Sequence, residues 1–132
     1  MRLLDANVLL RWLLRDDKPQ TDAVERFLRH ALAAREELLV SDLAMAELVW
    51  VMEGQDINAS IIVRLLRTAL NDHRIEFENR ERLLTALTLY EAHGVDFIDA
   101  YQAGLAQERD LEAVVSFDRD FDRLPVARVE PR

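Results

Sequence analysis

Apolar positions recur along this chain in two rhythms. Short segments dominated by Leu, Val, Ile and Phe stand at residues 2–4, 38–40, 75–77, 113–116 and 126–129 and read as strands. Longer stretches with apolar residues three and four apart read as helices over residues 8–15, 21–34, 42–53, 58–71, 80–93 and 97–108. Their ends carry capping chemistry: Ser41 and Asn58 precede the third and fourth helices. Asp96 precedes the sixth, with Asp99 in the place of a capping-box acid, and Gly54 and Gly94 stand where left-handed residues close helices. Short strands alternating with longer helices predict an α/β protein whose mostly parallel sheet of about five strands is covered by helices. Trp12, Trp50 and Tyr90 fall at core positions of helices. The small residues Ala100, Ala103, Gly104 and Ala106 suit close packing or a dimer seam equally well.

Composition narrows the class. At 132 residues, half of them hydrophobic, the chain is long enough to bury a core as one domain spanning 1–132. It contains no cysteine, which excludes a disulfide scaffold, a thiolate zinc site and cysteine catalysis. The opening apolar run is too short for a signal peptide, and no stretch approaches a membrane span. A soluble cytoplasmic protein is the expectation. The net charge of −8 argues against a generic binder of phosphate backbones, because such affinity rests on cationic side chains. All but one of the 17 bases are arginine, however, so local bidentate phosphate contacts remain open.

Against this background four acids stand out. Asp5 is the only charge between Arg2 and Arg11, and Glu47 the only polar residue from Leu43 to Met52. Asp99 interrupts Phe97, Ile98, Ala100 and Tyr101, and Asp118 follows an apolar run ending in Phe117. A carboxylate in apolar surroundings is costly unless compensated. Each has a plain structural alternative: Asp5 and Asp118 as turn caps, Glu47 in a buried salt bridge, Asp99 at a helix N-terminus. Placement along the chain favours a shared role. Asp5 and Asp118 directly follow expected strands, and Glu47 lies in the second turn of the helix after another. Ligands of open parallel sheets bind beyond the carboxyl ends of the strands, so these acids converge on one edge, and Asp99 joins them if its helix starts there. Clustered carboxylates want a hard cation, Mg²⁺ or Mn²⁺, which can activate water against a phosphodiester. No Ser–His or Cys–His pairing competes, and His30, His73 and His93 lack metal-ligand spacing. Asp96 reads as a cap rather than a ligand. Arg11 and Arg15 extend from the helix after Asp5 within reach of substrate phosphates, with a solvated helix face as the simpler reading.

The segments Leu3-Leu4-Asp5-Ala6-Asn7, Ser41 to Glu47, Val95 to Ala100 and Val115 to Phe121, in this order and at these spacings, resemble the PIN-domain ribonucleases, and within them the VapC-like toxins of bacterial toxin–antitoxin pairs. The resemblance covers nearly the whole chain. It implies a three-layer α/β/α sandwich and an acidic metal site of Asp5, Glu47, Asp99 and Asp118. Asn7 and Ser116 take the polar supporting positions, Asp96 lies beside the central acid, and Asp120 is an outer ligand. It also implies Mg²⁺-dependent endonucleolytic cleavage of RNA, a homodimer, and neutralisation by a cognate antitoxin, in a larger assembly where the two combine. Two other readings stay open: a PIN-like protein-interaction module with a vestigial acidic site, and another acidic-site α/β phosphohydrolase. The second usually wants an additional aspartate near the first or a lysine on the phosphate. Asn7 stands two beyond Asp5, and Lys18 is the only lysine.

Overall fold

In the computed structural model, which describes residues 1–132, strands and helices alternate as their spacing implies. The chain divides into two compact units, Met1–Arg80 and Glu81–Arg132. The first holds β1 (Arg2–Leu3), α1 (Ala6–Leu14), α2 (Lys18–Ala33), β2 (Leu38–Val40), α3 (Asp42–Gly54), α4 (Ala59–Leu70) and β3 (Glu76–Phe77). The second holds α5 (Arg80–His93), whose first residue is the boundary, then α6 (Phe97–Glu108), β4 (Val114–Val115), a 3-10 turn (Arg119–Arg123) and β5 (Arg128–Val129). All five expected strands form, and every pairing between them is parallel. The strands form a three-stranded sheet in the order β1-β2-β3 and a two-stranded sheet of β4 and β5. Register runs Arg2 opposite Leu38, Leu39 opposite Glu76, and Val115 opposite Val129. No helix is long and apolar enough to cross a membrane.

Local chemistry sets the helix boundaries. Asp5 accepts a hydrogen bond from the Asn7 amide, so α1 starts at Ala6, earlier than apolar spacing alone suggests. Asp17 does the same for Gln20, and Pro19 in the first turn lets α2 begin at Lys18. Ser41, Asn58 and Asp96 cap α3, α4 and α6 as expected. Gly94 closes α5 with a left-handed φ of 62°. Gly54 does not play that part. It is the last helical residue of α3, and Asp56 two positions on takes the left-handed conformation instead, with φ of 60°.

In the first unit α1, α3 and α4 supply Leu9, Met45, Leu48, Met52, Ile62 and Leu66, all essentially inaccessible, and β2 adds Leu38 and Val40. Trp12 is buried and donates its indole N–H to Glu25 at 2.9 Å, tying α1 to α2. Trp50 breaks the expectation: it is 76% exposed. The reason is helical phase. Ala44, Met45, Leu48, Val49 and Met52 fill the inward face of α3, which leaves Leu43, Glu47 and Trp50 on the outward one. In the second unit Tyr90 and Phe97 meet edge to face with centroids 5.9 Å apart. A Cβ placed on Gly104 would lie 3.5 Å from the Thr85 methyl, so the small residues of α6 serve its packing against α5.

One ion pair is sheltered enough to matter for stability. The Arg74 guanidinium forks onto Asp72 at 2.6 and 2.9 Å, the Arg74 amide adds a third bond at 2.9 Å, and the guanidinium lies 5.8 Å from the Trp12 ring. The hydrogen bonds from Arg74 hold the Asp72 carboxyl below its ordinary range, against the opposing effect of burial. A depressed carboxyl pKa contributes stability that is present above the unfolded value near pH ~4 and is lost as pH falls through the folded value. Asp72→Asn is therefore expected to lose about 2 kcal/mol at neutral pH. In urea melts the gap to the parent should narrow steadily below about pH 4. A gap that stays constant with pH would show that the charge on Asp72 contributes nothing.

Candidate metal centre

Every acid singled out in the sequence is placed by the start of a helix or turn. Asp5 follows β1 directly, since the Leu4 amide still bonds to the Leu39 carbonyl at 2.8 Å. Its backbone is extended (φ −75°, ψ 151°), and one carboxylate oxygen caps α1 through the Asn7 amide at 3.1 Å. Asp5 is exposed, and its second oxygen takes no part in the cap. Ser41 follows β2 and accepts from the Ala44 amide at 3.1 Å. That bond launches α3 from the same carboxyl edge of the sheet and puts Glu47 in its second turn.

Two further residues help fix α3, and sequence spacing did not reveal them. Glu78, just beyond β3, accepts from the Asp42 amide at 3.0 Å, and Asn79 donates to the Asp42 carboxylate at 2.9 Å. The carboxyl ends of β2 and β3 are thereby tied together, which holds the helix that carries Glu47. Their only sequence signal was position immediately after a strand.

In the second unit the acids come closer. Asp99 lies in the first turn of α6, whose cap Asp96 accepts from the Ile98 amide at 3.3 Å. Asp118 follows β4 and opens the 3-10 turn by accepting from the Asp120 amide at 2.9 Å. Its own amide donates to Ser116 Oγ at 2.9 Å. Asp99, Asp118 and Asp120 each offer a carboxylate oxygen, and these oxygens all lie within 4.8 Å of one another. Asp120, expected only as an outer ligand, is thus part of the tight group. Asp96 serves as a cap.

Asp5, Glu47 and Asp118 are exposed, so their apolar neighbours in sequence do not surround them in space. Glu47 shows why: its flanking apolar residues point inward along the helix while it points out. Only Asp99 is half-buried. Burial pushes its carboxyl above the ordinary range, and the negative charges of Asp118, Asp96 and Asp120 push further in the same direction. Like charges this close repel in the absence of a cation. The donor set is entirely carboxylate, with neither histidine nor thiol, which suits a hard oxygen-seeking divalent ion.

The profile of the PIN domain family matches residues 2–127. The chain is a PIN-domain protein. This PIN-domain chain is 30% identical, over 132 residues, to the VapC ribonuclease of Aquifex aeolicus (strain VF5), covering 99% of its own length and 97% of that protein's. It therefore belongs with the VapC-like members of the family, and its parallel strands and six helices are those of an α/β PIN-like fold. The acidic group sits on family-matched sequence, since Asp99, Asp118 and Asp120 all fall within residues 2–127.

Proposed function

We propose that this VapC-like ribonuclease hydrolyses RNA phosphodiesters endonucleolytically at a Mg²⁺ site, with Mn²⁺ as a working substitute. Asp5, Glu47, Asp99 and Asp118 form the site, and Asp120 assists. The observation that carries the reading is the trio of carboxylates within 4.8 Å in a PIN-domain chain. The two compact units then act as one domain over 1–132, a reading supported by a family match that runs across both.

When bound, a divalent cation stabilises charge developing on the phosphate and makes water a competent nucleophile near neutral pH. The chain's own residues do the positioning. Asp99, on a packed helix, and Asp118, locked by the bonds to Ser116 and Asp120, hold their oxygens in place without a rearrangement. Asn7 fixes the Asp5 carboxylate through its amide and leaves one oxygen free for the ion. Glu47, exposed on α3, takes the role of orienting the attacking water in this reading.

The protein works in the cytoplasm as the toxin of a toxin–antitoxin pair, held inactive by a cognate antitoxin. A homodimer is the functional unit, extending to a larger toxin–antitoxin assembly. Support for a covered face comes from Leu43 and Trp50, 82% and 76% exposed on the outward side of α3, where solvent contact is unfavourable. The test of the activity is direct. Purified protein should cut single-stranded RNA with Mg²⁺, stop when the ion is chelated, and resume with Mn²⁺. Undiminished cutting under chelation, or no cutting with any divalent ion, would contradict the proposal.

A further inference from the structure

Arg11 carries a donor that the protein itself does not use. Its Nε is buried without a hydrogen-bond partner. A buried unpartnered donor is uncommon and energetically unfavourable. The remainder of the guanidinium is only loosely held, with Nη1 3.3 and 3.4 Å from the two oxygens of Asp16, at or beyond the long end of a normal hydrogen bond. Arg15, the next arginine on the chain, differs: its side chain is 60% exposed, with Nη1 3.5 Å from Glu25. The fold has thus kept one guanidinium half-sheltered and under-occupied.

The surroundings indicate what it awaits. Arg11 lines a pocket of about 290 Å³ together with Asp5, Asn7, Val8 and Gln20. Asn7 and Arg11 are about one helical turn apart on the same face of α1, about 6 Å along its axis. The pocket is thus lined by a proposed metal ligand, Asp5, and by an arginine, with Gln20 also in its wall. A nucleic-acid phosphate fits this lining: the cation proposed at Asp5 compensates the carboxylate, and the Arg11 Nη atoms, on release of the loose contact to Asp16, can donate to phosphate oxygens.

We propose that Arg11 binds the RNA phosphate next to the one being cut, and so sets the register of the strand over the acidic site. The proposal rests on the ribonuclease reading above. Arg11 is a substrate contact and does not touch the reacting atoms.

The experiment measures fluorescence anisotropy of a labelled, hydrolysis-resistant phosphorothioate single-stranded RNA bound to the full parent chain in Mg²⁺. Adding Arg11→Gln should raise Kd about tenfold and lower the slope of log affinity against log salt by about 1. Asp16→Asn, which frees the guanidinium, should lower Kd. In the cleavage-competent chain Arg11→Gln should raise KM more than it reduces kcat, with unchanged helical content by circular dichroism. Parental Kd and salt slope in Arg11→Gln would overturn the assignment, as would a fall in kcat at constant KM. If Arg11→Gln does not fold, Asp16→Asn decides alone, and an unchanged or weaker affinity overturns it. A parent chain that cuts no RNA with Mg²⁺ contradicts the ribonuclease reading itself. Normal cutting by the parent with no effect of Arg11→Gln contradicts only this inference.

Discussion

Replacing Asp99 by asparagine is expected to reduce Mg²⁺-dependent RNA cleavage by about 10³-fold or more while making the metal-free protein more stable. The loss follows from removing a charged oxygen from a site whose cation contributes several kcal/mol to transition-state stabilisation. The gain follows from the half-buried position of Asp99 within 4.8 Å of Asp118 and Asp120. Burial and those neighbouring charges, with Asp96, raise its pKa in the folded chain. A raised carboxyl pKa means that folding favours the protonated form. Stability is greatest below the unfolded value and declines as pH rises through the folded one, so at neutral pH the ionised group works against the fold. Asparagine has the same shape and no charge. The melting temperature of the metal-free variant should exceed the parent's by roughly 2–5 °C at pH 7. Adding Mg²⁺ should then raise the parent's melting temperature and leave the variant's nearly unchanged. A variant that melts below the parent in the absence of metal would show that Asp99 is a structural residue of α6.

Asp5→Asn is expected to lose activity to a similar extent, about 10²–10³-fold. Asp5 belongs to Met1–Arg80 and Asp99 to Glu81–Arg132, so this variant tests the proposal that both units contribute to one site. Residues that act as a unit are strongly non-additive. If the two acids hold the same cation, Asp5→Asn with Asp99→Asn should cut little worse than either single variant. Two independent roles would instead multiply the defects. Because the Asp5 cap uses a carboxylate oxygen that asparagine also supplies, helix α1 should survive the substitution. Loss of cleavage with unchanged helical content by circular dichroism separates the chemical role from the capping one.

Much of the fold could be read from the chain because local signals agree with one another. Ser41, Asn58 and Asp96 each precede an amphipathic run, and the structure uses each as a cap. The strands were legible as apolar segments between those helices, although each proves only two or three residues long. The distribution of five strands between a sheet of three and a sheet of two was not legible, because short ladders leave no trace in apolar periodicity. Trp50 shows a second limit. A tryptophan in an apolar helix reads as core, but α3 is apolar almost all round and periodicity carries little information about which face turns inward.

The acids show that apolar neighbours in sequence need not surround a residue in space. Glu47 drew attention as a lone charge among apolar neighbours, yet it is exposed and carries no burial penalty. Asp5 and Asp118 combine the bland and the chemical readings, since each caps an element with one oxygen and keeps another available. The prominence of Asp120 arises from the tightness of the 3-10 turn, which folds the chain back within two residues of Asp118. Spacing alone does not distinguish such a turn from a continuing strand.

The most direct test of a single acidic metal site is titration of Mn²⁺ into the parent protein, Asp5→Asn and Asp99→Asn, followed by electron paramagnetic resonance. The expected result is saturable binding in the parent that weakens at least about tenfold in each variant, because both remove a charged ligand from the same ion. Parental affinity in Asp5→Asn, with binding lost only in Asp99→Asn, would contradict the claim that the acids of both units share one cation.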